Sequence, residues 1–189
     1  MLLYNVKNLA DFSEADLAKC YGCMCTQRKE QVKRYKNENS KKSTLAGEWL
    51  IRCMLADFLG KNPEEFEIFP DKNGKLYCTN SGGVFFNLSH SEDIVAAAIC
   101  GEEVGIDIEV FRSVSQKLIE KVCTEKELAY VKNSIPRFFE IWTSKEAYFK
   151  CLGTGINDLA KFCSLDTDFP KIKEETDKYI LHIVKKSFV

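Results

Sequence analysis

The succession of secondary-structure signals predicts an α+β protein built as two similar lobes, because helical patterns give way to strand patterns and the same succession then repeats. Three observations carry that expectation. The chain has 189 residues, enough to bury one substantial core or two small ones packed together. Apolar spacing changes from helical to alternating after Asp71 and again after Gly155, which is the period shift that separates helices from strands. No Gly/Ser linker, low-complexity stretch or fixed-period repeat parts the halves. Lobes 1–101 and 102–189, with a seam near Gly101, are therefore expected to share a tight interface of the kind that holds ligands.

The elements follow in order. Ser13 to Cys25 and Thr26 to Lys36 read as short helices, and Lys42 to Leu59 as a longer one, since Leu45, Trp49, Cys53 and Phe58 recur near helical period. Gly60 stops it. Asn62-Pro63-Glu64-Glu65 offers a cap, a first-turn proline and a third-position acid, the signature of another helical turn. Asp71 to Lys75 is a turn signal, after which Val84–Leu88, Ile94–Ile99 and Val104–Glu109 read as three strands of a meander, with polar turns at Ser89–Asp93 and Gly101–Glu103. Thr124 to Glu127 is a capping box, and Pro136 opens an amphipathic helix that runs to Leu152 and ends at Gly153-Thr154-Gly155. Segments around Phe162 and from Tyr179 to Val184 alternate like strands.

Composition narrows the function classes. Lys and Arg number 27 against 28 Asp and Glu, for a net charge of -1, so no global field draws the chain onto nucleic acid or an anionic membrane. Apolar residues at 45% and aromatics at 12% exclude a disordered chain. The longest apolar run, Ile94 to Cys100, is too short to span a bilayer, and the first five residues lack the features of a secretory signal. The expectation is a soluble, intracellular protein. Its nine cysteines form no disulfide framework. The Cys20, Cys23, Cys25 group lacks a second ligand pair for zinc and reads as a helix end with packed thiols.

Three clusters could carry chemistry. In Val104-Gly105-Ile106-Asp107-Ile108-Glu109, strand alternation places Asp107 and Glu109 on one face, about 7 Å apart along the chain. Two carboxylates held together need a shared proton or a cation, and magnesium suits such a pair because it leaves positions open for substrate phosphate. The alternative is a solvated strand face with Ile106 and Ile108 inward. On the Pro136 helix, Trp142, Glu146 and Lys150 form a stripe, each step of four residues advancing about 40°. Glu146 and Lys150 side by side are either a surface helix pair or, with Trp142 in line and a Gly-Thr-Gly turn beyond, part of a site. Phe86 to Ser91 is an apolar strand ending in Ser89, His90 and Ser91, which are able to donate to a phosphate or simply to form a turn. A basic stretch from Arg28 to Lys42 suits a multiply charged anion, or is a solvated helix face.

Together, Phe86-Asn-Leu-Ser-His-Ser91, Gly105-Ile-Asp-Ile-Glu109 and Trp142-Thr-Ser-Lys-Glu-Ala-Tyr-Phe-Lys-Cys-Leu-Gly153 resemble, in order and spacing, the two-lobed 4'-phosphopantetheinyl transferases of the type that activates surfactin synthetase. Lys42 to Arg52 is similar to that family's N-lobe helix, and Asn73-Gly74-Lys75 falls where members carry a Gly-Lys. The resemblance implies two α+β lobes related by a pseudo-twofold, with the active site in the cleft between them. It implies transfer of 4'-phosphopantetheine from coenzyme A to a serine of an acyl or peptidyl carrier protein, releasing 3',5'-ADP. Asp107, Glu109 and Glu146 would hold Mg2+. Glu146, or a water held by the cation, would be the general base, and Lys150 would stabilise transition-state charge or relay the proton. Lys75, Ser89, His90 and Lys145 would hold the pyrophosphate and 3'-phosphate, with Arg28 and Thr44 at the nucleotide end. Gln31 stands where some relatives have a second cation, a contact that would fall to Lys33 or be absent. The resemblance further implies a monomer with Phe111 to Asn133 as a carrier docking face, and the composition adds a cytoplasmic location with no nucleic-acid or membrane partner. A magnesium-dependent nucleotide pyrophosphate hydrolase and a non-catalytic module that captures coenzyme A or a carrier are the competing readings.

Overall fold

A computed structural model describes residues 1–155, 159–166 and 171–188. The N-terminal half opens with β1 (Leu2–Asn8), followed by α1 (Glu14–Cys23), α2 (Thr26–Arg34) and the long α3 (Glu38–Leu59). A small hairpin of β2 (Ile68–Pro70) and β3 (Leu76–Cys78) precedes β4 (Phe85–Ser91) and β5 (Ile94–Cys100). The C-terminal half repeats the plan with β6 (Val104–Val110), α4 (Gln116–Val122), α5 (Glu125–Val131), α6 (Ile135–Leu152), β7 (Ile172–Glu175) and β8 (Tyr179–Lys185).

The main sheets are antiparallel, in the orders β1-β5-β4 and β6-β8-β7. In each lobe the first strand, its helices and two further strands form a sheet in which the last strand lies between the other two. The lobes are thus structural repeats without a sequence repeat. The predicted α+β class and two-lobed plan hold.

Alternation explains how the layers stack. Val95, Ala97 and Ile99 of β5 pack into a core with Leu50, Ile51 and Leu55 of α3, whereas Ile94, Ala96, Ala98 and Cys100 share a core with Ile106, Ile108, Leu181 and Ile183 of the second sheet. The two sheets therefore face one another, with α3 outside the first. The opposite face of the second sheet carries α6, whose approach is so close that a Cβ on Gly105 would lie 2.0 Å from the Ala147 carbonyl oxygen. With both faces covered, β5 is buried throughout, the reason its sequence is a continuous apolar run.

Three expectations are corrected. The helix predicted from Lys42 begins at Glu38, because Asn37 caps it through its side-chain oxygen and the amides of Asn39 and Ser40 and its first turn is too polar to show apolar periodicity. The three central strands are not a meander. β4 and β5 form a hairpin that extends through Ser91 and turns at Glu92 (φ 52°), but the chain changes sheets after Cys100 and β6 pairs with β8. Phe162 is not in a strand; it follows a 3-10 turn (Leu159–Lys161) and its ring stacks on Tyr148 at 4.5 Å. Among the described residues no helix is long and apolar enough to cross a membrane. All nine cysteines are free. The early thiols lie at a helix end, where Cys23 Sγ donates to the Cys20 carbonyl.

Candidate active site

β4 and β6 lie side by side across the seam, joined by side chains where a backbone ladder would otherwise run. Asn87 Oδ1 accepts from the Ile106 amide at 2.9 Å and Ser91 Oγ from the Val110 amide at 3.1 Å. Between them, Ser89 Oγ donates to Asp107 Oδ1 at 2.7 Å and Ser91 Oγ to Glu109 Oε2 at 2.6 Å. Alternation sends Asn87, Ser89 and Ser91 to one face of β4 and Asp107 and Glu109 to one face of β6.

α6 supplies the rest. Lys150 Nζ stands 2.5 Å from Asp107 Oδ1, 3.1 Å from Ser89 Oγ and 3.5 Å from Glu146 Oε2. It is able to reach the strand because Gly105 lets α6 settle onto β6. Asp107 is only 2% exposed, and its burial raises its pKa despite the opposing pull of the Lys150 ammonium, with Glu146 adding to the rise. Burial alone would lower the pKa of Lys150, but Asp107 and Glu146 raise it. The two acids thus outweigh burial and keep the ammonium charged.

Glu109 is held from a second side by Arg112 Nη1 at 2.6 Å, and the Arg112 guanidinium lies 5.1 Å from the Phe139 ring centroid. In the sequence Arg112 carries no signal beyond its i,i+3 spacing from Glu109. Asp107, Glu109 and Glu146 offer hard oxygen donors suited to Mg2+, and Asp107 Oδ2 is buried with no hydrogen-bond partner. Those two observations fit a cation. In the arrangement described the acids are not drawn round one point: among the described residues no group of three or more Asp, Glu, His or Cys stands ready to hold a metal. The positive charge beside Asp107 and Glu146 is Lys150.

A cleft of about 320 Å³ opens beside this cluster, lined by the 73–76 turn, Phe86 to Leu88, Arg28, Phe149, Lys150, Gly153 and Gly155. It therefore draws on both lobes, and the turn is tied across it by Asn73 Nδ2 to the Gly153 carbonyl (2.8 Å) and by Lys75 Nζ to the Cys151 carbonyl (3.2 Å) and Glu103 Oε2 (2.5 Å). Gly153 ends α6 in the left-handed region, φ 69°. Arg28 is anchored by Glu48 (3.1 Å) and Gln31 (2.5 Å), and Glu48 in turn holds the fully buried Arg52. Gln31 thus buttresses Arg28 at the position read as lacking a second cation. Arg28, Lys75 and Lys150 line the cleft as a positive set.

Other expected residues are placed differently. Lys145 is wholly buried, its Nζ donating to Glu127 Oε2 (2.6 Å) and to the carbonyls of Val122 and Leu159 (2.8 Å each). Every proton of that ammonium is committed inside the C-terminal lobe, which corrects its assignment to phosphate. Burial would raise the Glu127 pKa, but Lys145 and the amides of Thr124 and Ser164 bring it below its ordinary value. Trp142 packs edge-on against Phe138 in the C-lobe core and is not among the residues lining the cleft. Thr44 is buried in α3 and likewise does not line it. His90, beyond Ser89 on the other face of β4, is exposed; crowding by surrounding protein, and secondarily Lys150, lowers its pKa. The cleft walls Leu76, Phe86, Leu88 and Phe149 went unread in the sequence because apolar strand and helix residues there look like core.

Comparison with known proteins identifies the family. The family model "4'-phosphopantetheinyl transferase superfamily" matches residues 103–187, and "4'-phosphopantetheinyl transferase, N-terminal" matches residues 11–102. The 4'-phosphopantetheinyl transferase gsp of Aneurinibacillus migulanus is 32% identical over 135 residues, covering 69% of this chain and 56% of its own length. HetI of Nostoc sp., also a 4'-phosphopantetheinyl transferase, is 27% identical over 79% of this chain and 68% of its own. Sfp of Bacillus subtilis is 22% identical over 83% and 72%. The chain thus spans little more than half the length of the gsp relative. With two consecutive family models taking in both lobes, and with paired acids and a lysine meeting beside the inter-lobe cleft, this chain belongs to the 4'-phosphopantetheinyl transferase superfamily.

Proposed function

We propose that this protein transfers 4'-phosphopantetheine from coenzyme A to a serine hydroxyl of an apo acyl or peptidyl carrier protein. The observation that carries the proposal is the meeting of Lys150 with Asp107 and Glu146 at the wall of a cleft that Arg28 and Lys75 also line. Asp107, Glu109 and Glu146 would hold Mg2+, which when bound neutralises charge on the pyrophosphate. Arg28 and Lys75 attract the anionic nucleotide and orient it in the cleft. The apolar walls Leu76, Phe86, Leu88 and Phe149 exclude water around the reacting phosphate.

The serine oxygen forms a bond to the phosphorus that carries the pantetheine, and the bond from that phosphorus to the bridging oxygen breaks. The serine proton passes to a Glu146 carboxylate oxygen, and 3',5'-ADP leaves. Lys150 Nζ donates to the oxygens on which charge develops. Ser89 fixes Asp107, and through it the place of Lys150. The protein works as a cytoplasmic monomer in this proposal, with the lobes dividing at residue 101 and the carrier meeting the stretch Phe111 to Asn133.

Incubating an apo-carrier with the protein, coenzyme A and Mg2+ should add one phosphopantetheine to one serine, read by mass spectrometry. If 3',5'-ADP instead accumulates at an equal rate without a carrier, the protein hydrolyses the pyrophosphate with water. If neither product forms, it is a binding module.

A further inference from the structure

Lys150 lies between the cleft and the acids. It lines the cleft, while its Nζ touches Asp107 Oδ1 at 2.5 Å and Glu146 Oε2 at 3.5 Å. Its side chain is 21% exposed, against 3% for Asp107 and 14% for Glu146, so of the three it is the most open to solvent. The ammonium also occupies the ground where a shared ion would neutralise both carboxylates. Asp107 Oδ2 is buried and unpartnered while Oδ1 takes both Lys150 and Ser89. Glu109 has its own neutralising partner in Arg112.

We propose that the Lys150 ammonium is the resident counter-ion of the acid cluster and is displaced from it when a divalent cation binds. The proposal rests on the reading of Asp107, Glu109 and Glu146 as a cation site, and adds that the site is closed by the chain's own charge until the ion arrives. Electrostatics demands some such arrangement: buried carboxylates without a counter-charge are costly, and two full positive charges cannot share one pair of acids without repulsion. The cation and Lys150 are therefore competitors for Asp107 and Glu146. The long lysine stem lets Nζ swing toward the cleft, where a substrate's phosphate oxygens would receive it, so that loading the ion delivers the lysine to the place where it is needed. Lys150 is then the ion's competitor before loading and a donor to the substrate after it.

The test has two measurements. Mn2+ binding, followed by the electron paramagnetic resonance signal of the free aqueous ion with and without coenzyme A, should be about tenfold tighter in Lys150→Met than in wild type. Lys150→Arg, which keeps the charge, should show no such gain. In wild type, the side-chain ammonium resonance of Lys150, identified by its loss in Lys150→Arg, should move or vanish on addition of Mg2+ as its hydrogen bonds to Asp107 and Ser89 break. That measurement stands even if Lys150→Met does not fold. An unmoved resonance at saturating Mg2+, or a folded Lys150→Met that binds Mn2+ no more tightly than a wild type that does bind it, overturns the displacement and leaves the cation site standing. A wild type that binds no Mn2+ in either condition overturns both.

Discussion

Lys145 and Glu146 are neighbours in sequence with opposite fates, because one step along a helix turns the side chain by about 100°. Glu146 faces β6 and the cleft side, whereas Lys145 enters the C-lobe interior and meets Glu127. Motif adjacency put both at the ligand, Glu146 on the cation and Lys145 on a phosphate; the helical face separates them. Truncating one partner of a fully buried pair strands the other charge, so Lys145→Met should cost about 3–5 kcal/mol in urea unfolding, and adding Glu127→Gln, which removes the stranded charge but keeps an acceptor for the Thr124 and Ser164 amides, should recover part of it. His182 is a second residue that the sequence left silent, since a histidine on an apolar strand carries no marker of its environment. It is 0% exposed, with Nδ1 2.7 Å from Thr143 Oγ1. Burial, reinforced by Lys171 and Lys173, pulls its pKa from 6.5 to about 3. The unfolded chain therefore binds the proton first as pH falls, and the contribution of neutral His182 to stability is complete above pH 6.5 and is lost on the way down to about 3, at up to about 1.4 kcal/mol per unit. Between pH 7 and 5, urea midpoints of His182→Gln should fall less steeply than those of wild type.

At the scale of elements, the long amphipathic patterns were the readable part. α6 runs from Ile135 to Leu152, within one residue of the start its proline announced, and the cap at Asn62 and the capping box at Thr124 are both in place. Short edge strands were not readable: β2 and β3 span three residues each, too few to show alternation. The change of sheets after Cys100 is invisible for another reason, since antiparallel neighbours and strands in facing sheets share one apolar alternation. Gly105 marks where that choice has a steric cost. A methyl there would lie 2.0 Å from the Ala147 oxygen and 2.4 Å from the Cys151 nitrogen, both backbone atoms that no rotamer change removes. Gly105→Ala should destabilise by about 3 kcal/mol or more in chemical denaturation, and the protein that still folds should lose transfer activity as α6 is pushed from β6.

Across the whole molecule, the acid pair was legible from alternation and Glu146 with Lys150 from helical spacing, but their meeting with Ser89 and Lys75 was not, because those come from the other lobe. Lys75 illustrates this: its role depends on Glu103 and Cys151, partners that no local pattern connects to it. As a tie across the lobes at the cleft wall, with its side chain 17% exposed, it should contribute about 1 kcal/mol to stability, while Lys75→Met should raise KM for coenzyme A about tenfold with a smaller fall in kcat; steady-state kinetics checks the split. The seam between β4 and β6 has a consequence for how such a molecule is aligned. Asn87, Ser89 and Ser91 act as three teeth spaced two residues apart, each seated on the neighbouring strand. A slip of one residue would turn every tooth away and replace it with Phe86, Leu88 or His90. The same short polar groups that hold the acids also register one lobe against the other, so an error in alignment silences the chemistry in the same stroke.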